Sequence, residues 1–155
     1  VVDSGVKKML LDQFRFQAHG LRQQLELLRS VPVLQIPIVG DIWSDHVLFN
    51  NDEVIGIVDF GAMKVESPCL DIARLFGSYA DYSPEALRRG ICYYCEFREL
   101  NDLDFSLIEL YDRAYVILAG IQWLIWIELE QRFFLDNEAV GQRLHRLVRR
   151  CEPAI

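Results

Sequence analysis

Ile38-Val39-Gly40-Asp41-Ile42-Trp43-Ser44-Asp45-His46-Val47-Leu48-Phe49, the turn Asn50-Asn51-Asp52-Glu53, then Val54-Ile55-Gly56-Ile57-Val58-Asp59-Phe60-Gly61: this stretch decides how the 155-residue chain is read. Two short apolar runs, residues 47–49 and 54–60, flank a polar turn signal and predict a β-hairpin. The polar residues able to do chemistry gather in and beside it. Asp41 lies in the loop before the first strand, and Asp59 ends the second, eighteen residues later. A hairpin brings its outer ends together, so Asp41, Asp45, His46 and Asp59 are expected to converge. Three carboxylates and an imidazole facing one space repel unless a cation or a proton sits among them. An aspartate at a strand end commonly caps a turn. Together, though, acids at loop–strand junctions point to a divalent metal and a general base.

Outward from the hairpin the pattern is helical. Upstream, residues 4–30 carry Phe14, Ala18, Leu21, Leu25 and Leu28 on one face, and Pro32 ends the run. Residues 33–39, interrupted by Pro37, predict an approach strand or extended segment. Downstream, Ser67-Pro68 opens a helix that carries Asp71, Ala73, Arg74 and Phe76. Ser83-Pro84-Glu85 supplies an N-cap, a first-position proline and a first-turn acid for the next helix. A long helix is expected from residues 101–104 to about residue 134, and a last one over 138–150. The apolar run at 114–127 lies between Arg113 and Glu128 and falls short of the roughly 20 residues that span a bilayer. It predicts a buried central helix. The expectation is a single, predominantly helical α+β domain over residues 1–155, with the small hairpin carrying the chemistry.

Composition narrows the classes. Lys and Arg number 16 against 23 Asp and Glu, a formal charge of −7, with no basic run. That argues against nucleic acid and anionic membranes as partners and leaves cationic ligands open; Asp81, Asp102, Asp104 and Glu128 are acids that could receive one. The start, Val1-Val2-Asp3, has no initiator Met and no secretory pattern, as in a fragment or processed product. Cys92 and Cys95 form a lone C-x-x-C with no second pair to complete a zinc set. With Cys69 and Cys151 they are expected to be structural core cysteines of a cytoplasmic protein, with redox or metal use as the alternative.

The ordered set of motifs carries a resemblance. Gly40-Asp41 followed by His46-Val47-Leu48-Phe49, then Val54 through Gly61, then Ser67-Pro68-Cys69-Leu70-Asp71-Ile72-Ala73, resembles the active-site pieces of the kinase-like phosphotransferases. The aminoglycoside phosphotransferase and choline kinase-like families use H-G-D-x-x-x-x-N, I-D-[WF]-G and D-P-x-x-D-L-A in this order. The strict match spans residues 38–74, and the flanking helices are similar to the C-terminal lobe of that protein-kinase-like fold. The resemblance implies that Asp41 orients, and can deprotonate, the acceptor hydroxyl. It implies that Asp59 holds the metal bridging the phosphates of ATP. Asp71 would tie the helix start to the catalytic loop, with Gly40, Phe60 and Gly61 shaping the two loops.

Three departures stand out. Val39 replaces the usual His and removes a loop-bracing partner. Trp43-Ser44-Asp45 replaces the common His-Pro-Gly. His46 occupies the place of the second metal ligand, Asn. Magnesium prefers hard oxygen ligands, whereas imidazole suits manganese, zinc or iron. Either His46 ligates a softer ion, or Asp45 takes over, or His46 orients the loop without binding metal. Upstream of Asp41 there is one helix, with no Gly-rich loop and no five-stranded region. The chain is therefore expected to be the catalytic lobe alone, its N-terminal ATP-binding lobe absent. The face near Trp43 and Phe60 would then leave apolar surface that favours self-association.

The leading expectation is an ATP-dependent phosphotransferase acting on a hydroxyl of a small metabolite or amino sugar, with magnesium or manganese. Two alternatives use the same residues: a degenerate kinase-like module that binds without catalysis, and a metal-dependent hydrolase.

Overall fold

The computed structural model describes residues 3–80, 83 and 85–151. Asp81 and Pro84 lie outside the described residues. The chain divides into two compact units, Val1–Val31 with Arg113–Ile155, and Pro32–Asp112.

The first unit is helical. Helix α1 (Ser4–Leu28) starts where Asp3 accepts N–H bonds from Gly5 at 2.7 Å and Val6 at 3.2 Å, satisfying donors that a helix start leaves orphaned. Its core residues are Val6, Leu10 and Leu21, and Val140, Leu144, Leu147, Val148 and Cys151 are the buried face of the last helix, α5 (Asn137–Cys151). Helix α4 (Asp102–Leu124) crosses from one unit to the other and adds Val116, Ile117 and Leu124 here. Gly120 permits the close approach, since a Cβ there would lie 2.8 Å from the Leu10 side chain.

Two expectations change in this unit. The apolar run is only partly buried, and Leu118 is 61% exposed in an open groove beside α1. The long helix also ends early, in a π-helical turn at Ile125–Leu129. Gln131 takes the left-handed conformation (φ 50°) and reverses the chain. Phe134 then packs on Trp123 at 5.3 Å, Trp123 meets Trp126 edge-on at 5.2 Å, and Arg132 lies over Trp126 at 4.8 Å. Aromatic contacts thus outweigh continued helix in an apolar tail that reads as helical.

The second unit holds the hairpin and its supports. Strand β1 (Ile36–Ile38) pairs antiparallel with β4 (Lys64–Glu66), Ile36 opposite Glu66 and Ile38 opposite Lys64. Strands β2 (Val47–Asn50) and β3 (Glu53–Ile57) form the expected hairpin, with a bulge between Leu48 and Phe49 and Asn51 at φ 54° in the turn. Helix α2 (Pro68–Ala80) begins with Ser67 Oγ accepting the Cys69 N–H, and the proline sits where a helix lacks a use for its N–H. Helix α3 (Ala86–Cys95) follows. At the start of α4, Asn101 and Asp104 exchange side-chain-to-backbone bonds of 3.0 and 3.1 Å, a reciprocal cap. The core of this unit is Ile38, Ile42, Cys69, Ile72, Ala73, Leu107, Ile108 and Leu110.

Candidate active site

One face of α2 organises the loop between β1 and β2. Asp71, Arg74 and Ser78 recur at the three- and four-residue spacing that stacks side chains along a helix. Each meets a successive part of the loop. The Asp71 carboxylate accepts the backbone N–H of Val39 at 2.7 Å and of Gly40 at 2.9 Å. Arg74 Nε donates to Asp41 Oδ1 at 3.1 Å. Ser78 Oγ accepts the Ser44 N–H at 2.8 Å and donates to the Leu75 carbonyl at 2.6 Å.

Gly40 makes this possible. Its φ is +88°, and a Cβ would strike the carbonyl oxygen of Ala62. Only glycine takes that conformation freely and lets the two backbones pass. The chain then bends at Gly40 so that Asp41 stands clear, its side chain 59% exposed while that of Arg74 is 13% exposed. A mostly buried cation therefore presents an exposed carboxylate. The Arg74 guanidinium also lies 5.7 Å from the centroid of the Trp43 ring.

The second half of the site lies at the hairpin's far end. Val58 N–H donates to the His46 carbonyl at 3.0 Å, which brings Asp59 alongside. Asp59 has φ 64°, a left-handed conformation that aspartate tolerates better than most residues. Its Oδ2 is 3.7 Å from His46 Nε2, and its side chain is 65% exposed. Its other oxygen accepts the Gly61 N–H at 3.4 Å. Phe60 is 51% exposed, and its carbonyl accepts the Met63 N–H at 3.2 Å to close the loop into β4.

His46 is already engaged. The Trp43 indole N–H donates to His46 Nε2 at 2.6 Å, so that nitrogen serves as acceptor and, in a neutral ring, Nδ1 carries the proton. Nδ1 is buried without a hydrogen-bond partner among the described residues. Asp45 is exposed and accepts the Ser44 hydroxyl at 3.1 Å. Burial, and then the Asp45 carboxylate, push the Tyr79 hydroxyl above its ordinary value.

Of the four residues expected to converge, Asp41 pairs with Arg74, His46 lies beside Asp59, and Asp45 accepts from Ser44. Among the described residues no group of three or more His, Cys, Asp or Glu could hold a metal ion. Beside Asp41 the positive charge is supplied by Arg74. Of the other acids singled out for a cationic ligand, Asp104 caps α4 and accepts from the Cys69 thiol, and Glu128 pairs with Lys7. Arg74, Trp43 and Ser78 had no role assigned from sequence. The signal for two of them is present, since Arg74 and Ser78 follow Asp71 by three and seven residues. No helix among the described residues is long and apolar enough to cross a membrane.

Compared with known proteins, the chain matches the model of the phosphotransferase enzyme family over residues 5–105. It belongs to that family. No curated protein and no solved structure matches it.

Proposed function

We infer that this member of the phosphotransferase enzyme family is the C-terminal, catalytic lobe of an ATP-dependent small-molecule kinase, working in the cytosol. It moves the γ-phosphate of ATP to a hydroxyl of a small metabolite or amino sugar. The observation that carries this reading is Asp41, an exposed carboxylate on a loop that Asp71, Arg74 and Ser78 hold at three successive points. Phosphoryl transfer has a loose transition state, so positioning and charge neutralisation supply most of the rate. With Oδ1 held by Arg74, the other oxygen of Asp41 is left to align an acceptor hydroxyl and take its proton.

The donor set fits a divalent metal on the hairpin side in part. Asp59 offers an exposed carboxylate, the hard oxygen ligand that magnesium and manganese accept. A bound magnesium or manganese ion would neutralise charge on the nucleotide phosphates. His46 can add a nitrogen only when Trp43 releases Nε2. While that bond holds, His46 braces the loop, a task that Val39 cannot do in place of the family's His.

The test is turnover by the full-length protein with ATP and a panel of amino sugars, amino alcohols and sugar alcohols, followed by phosphorus NMR. A new phosphate monoester, lost in Asp41→Asn, supports the proposal. Nucleotide binding with no product across the panel would transfer support to a non-catalytic binding module.

A further inference from the structure

Cys92 and Cys95 are free and exposed, whereas Cys69 and Cys151 are buried. This corrects the expectation that all four belong to the core. The cause is the face α3 presents to α2. Gly90 lies so close to the Phe76 ring that any Cβ would collide with it. Tyr94, one turn later, lines a cavity of about 260 Å³ together with Leu75 and Phe76. Positions 90 and 94 therefore point inward, and 92 and 95 turn out.

Free cysteine is among the most buried residue types, so two on one exposed stripe call for a reason. Helical residues three apart hold their Cβ atoms about 5–6 Å apart. A disulfide needs Cβ atoms about 3.5–4.5 Å apart, so direct bonding requires the end of α3 to tighten by about an ångström or more. A metal ion bridging two sulfurs, at about 2.3 Å from each, lets them stand up to about 4.6 Å apart with the helix intact. Soft thiolates select Cu(I), zinc and iron–sulfur clusters. Structural zinc and the clusters take four ligands, and among the described residues no third His, Cys, Asp or Glu joins this pair in a metal-competent group. Cu(I) is satisfied by two thiolates in line.

We propose that Cys92 and Cys95 form a two-coordinate dithiolate site for Cu(I), separate from the phosphotransfer site. Each thiol gives up its proton to solvent and forms one S–Cu bond; copper stays monovalent and no electron moves. The complex carries one negative charge. Arg88 and Arg89, exposed one turn earlier on the same side of α3, complement it.

The test titrates Cu(I) anaerobically into the protein against a chromogenic Cu(I) chelator and reads which cysteines copper protects from alkylation by peptide mass spectrometry. One Cu(I) per chain is expected, with Cys92 and Cys95 protected together. Cys92→Ser and Cys95→Ser should each weaken binding by about 100-fold or more, the gain a second tethered ligand brings, while circular dichroism stays unchanged. Protection of only one of the two, protection of Cys69 or Cys151 instead, or equal affinity in either serine variant would overturn the site.

Discussion

Arg74 holds Asp41: the guanidinium Nε of α2 donates to one carboxylate oxygen at 3.1 Å, from a side chain far less exposed than the one it holds. The pair fixes the direction in which the proposed base points. As an ion pair with one exposed partner it contributes little stability, about 0–1 kcal/mol. Its weight should fall on catalysis. Arg74→Met should lower kcat by about 10- to 100-fold, the scale on which small misplacements act, with urea unfolding nearly unchanged. Arg74→Lys should recover part of the rate, since it keeps the charge but not the planar fork. Full activity in Arg74→Met would show that Asp41 needs no such partner.

Trp43 controls whether His46 has a lone pair to give. Trp43→Phe keeps the ring and deletes the N–H, leaving Nε2 free beside Asp59. The full-length variant should shift toward manganese over magnesium, because nitrogen joins the oxygen donors. His46→Asn should shift it back toward magnesium. Activity measured across both metals for the two variants decides this; identical metal ratios in wild type and Trp43→Phe would leave His46 a brace and Asp59 the sole protein ligand.

Gly40→Ala places a methyl group on the Ala62 carbonyl and a non-glycine residue at φ +88°. Left-handed strain alone costs on the order of 1–2 kcal/mol, and the collision adds to it. Urea unfolding should show a loss of about 2 kcal/mol or more. The second unit should suffer first, visible as faster amide exchange at Val39 and Gly40, whose N–H groups Asp71 holds. Wild-type stability in this variant would mean that the loop has room the geometry denies.

Alkaline pH should destabilise the fold through groups it keeps neutral. Burial, first of all, raises the Cys69 thiol, and burial followed by Glu66 raises the Tyr111 hydroxyl. The unfolded chain ionises these groups near their ordinary values, about 8.5 for the thiol and about 10 for the phenol. The folded state then binds more protons, so stability is complete below those values and falls as pH rises toward the raised ones. Urea unfolding at pH 7, 9 and 10 should trace the decline. Cys69→Ala should lower stability at pH 7, by cavity formation, and flatten the slope between pH 8.5 and 10; an unchanged slope would assign it to other groups.

Much of the fold around the candidate site was legible because its signals are local. Asn50 to Glu53 between two apolar runs marks the hairpin, and Ser67-Pro68 marks the start of α2. What escaped depends on distant partners. Strand β4 is three residues long and acquires its conformation only by pairing with β1. The Arg74–Asp41 bond spans 33 positions. α3 reads apolar on more than one side, so only the Phe76–Gly90 contact decides that its cysteines face out. The end of α4 is set by Phe134 returning to Trp123, which no periodicity within the helix announces.

The hairpin leaves Leu48, Phe49, Val54, Ile55 and Ile57 each at least 40% exposed. A two-stranded ribbon with so little buried surface is marginal by itself. Asp41 is stapled to a helix, but Asp59 hangs from this ribbon. The two halves of the proposed chemistry therefore differ in thermodynamic character. The acceptor half is assembled before any substrate arrives. A partner that covers the ribbon's apolar side chains would also stiffen it, and that ordering entropy would be charged against affinity for the proposed nucleotide. On the proposed reading, the acceptor side is the preorganised half and the nucleotide side is the one that carries an ordering cost.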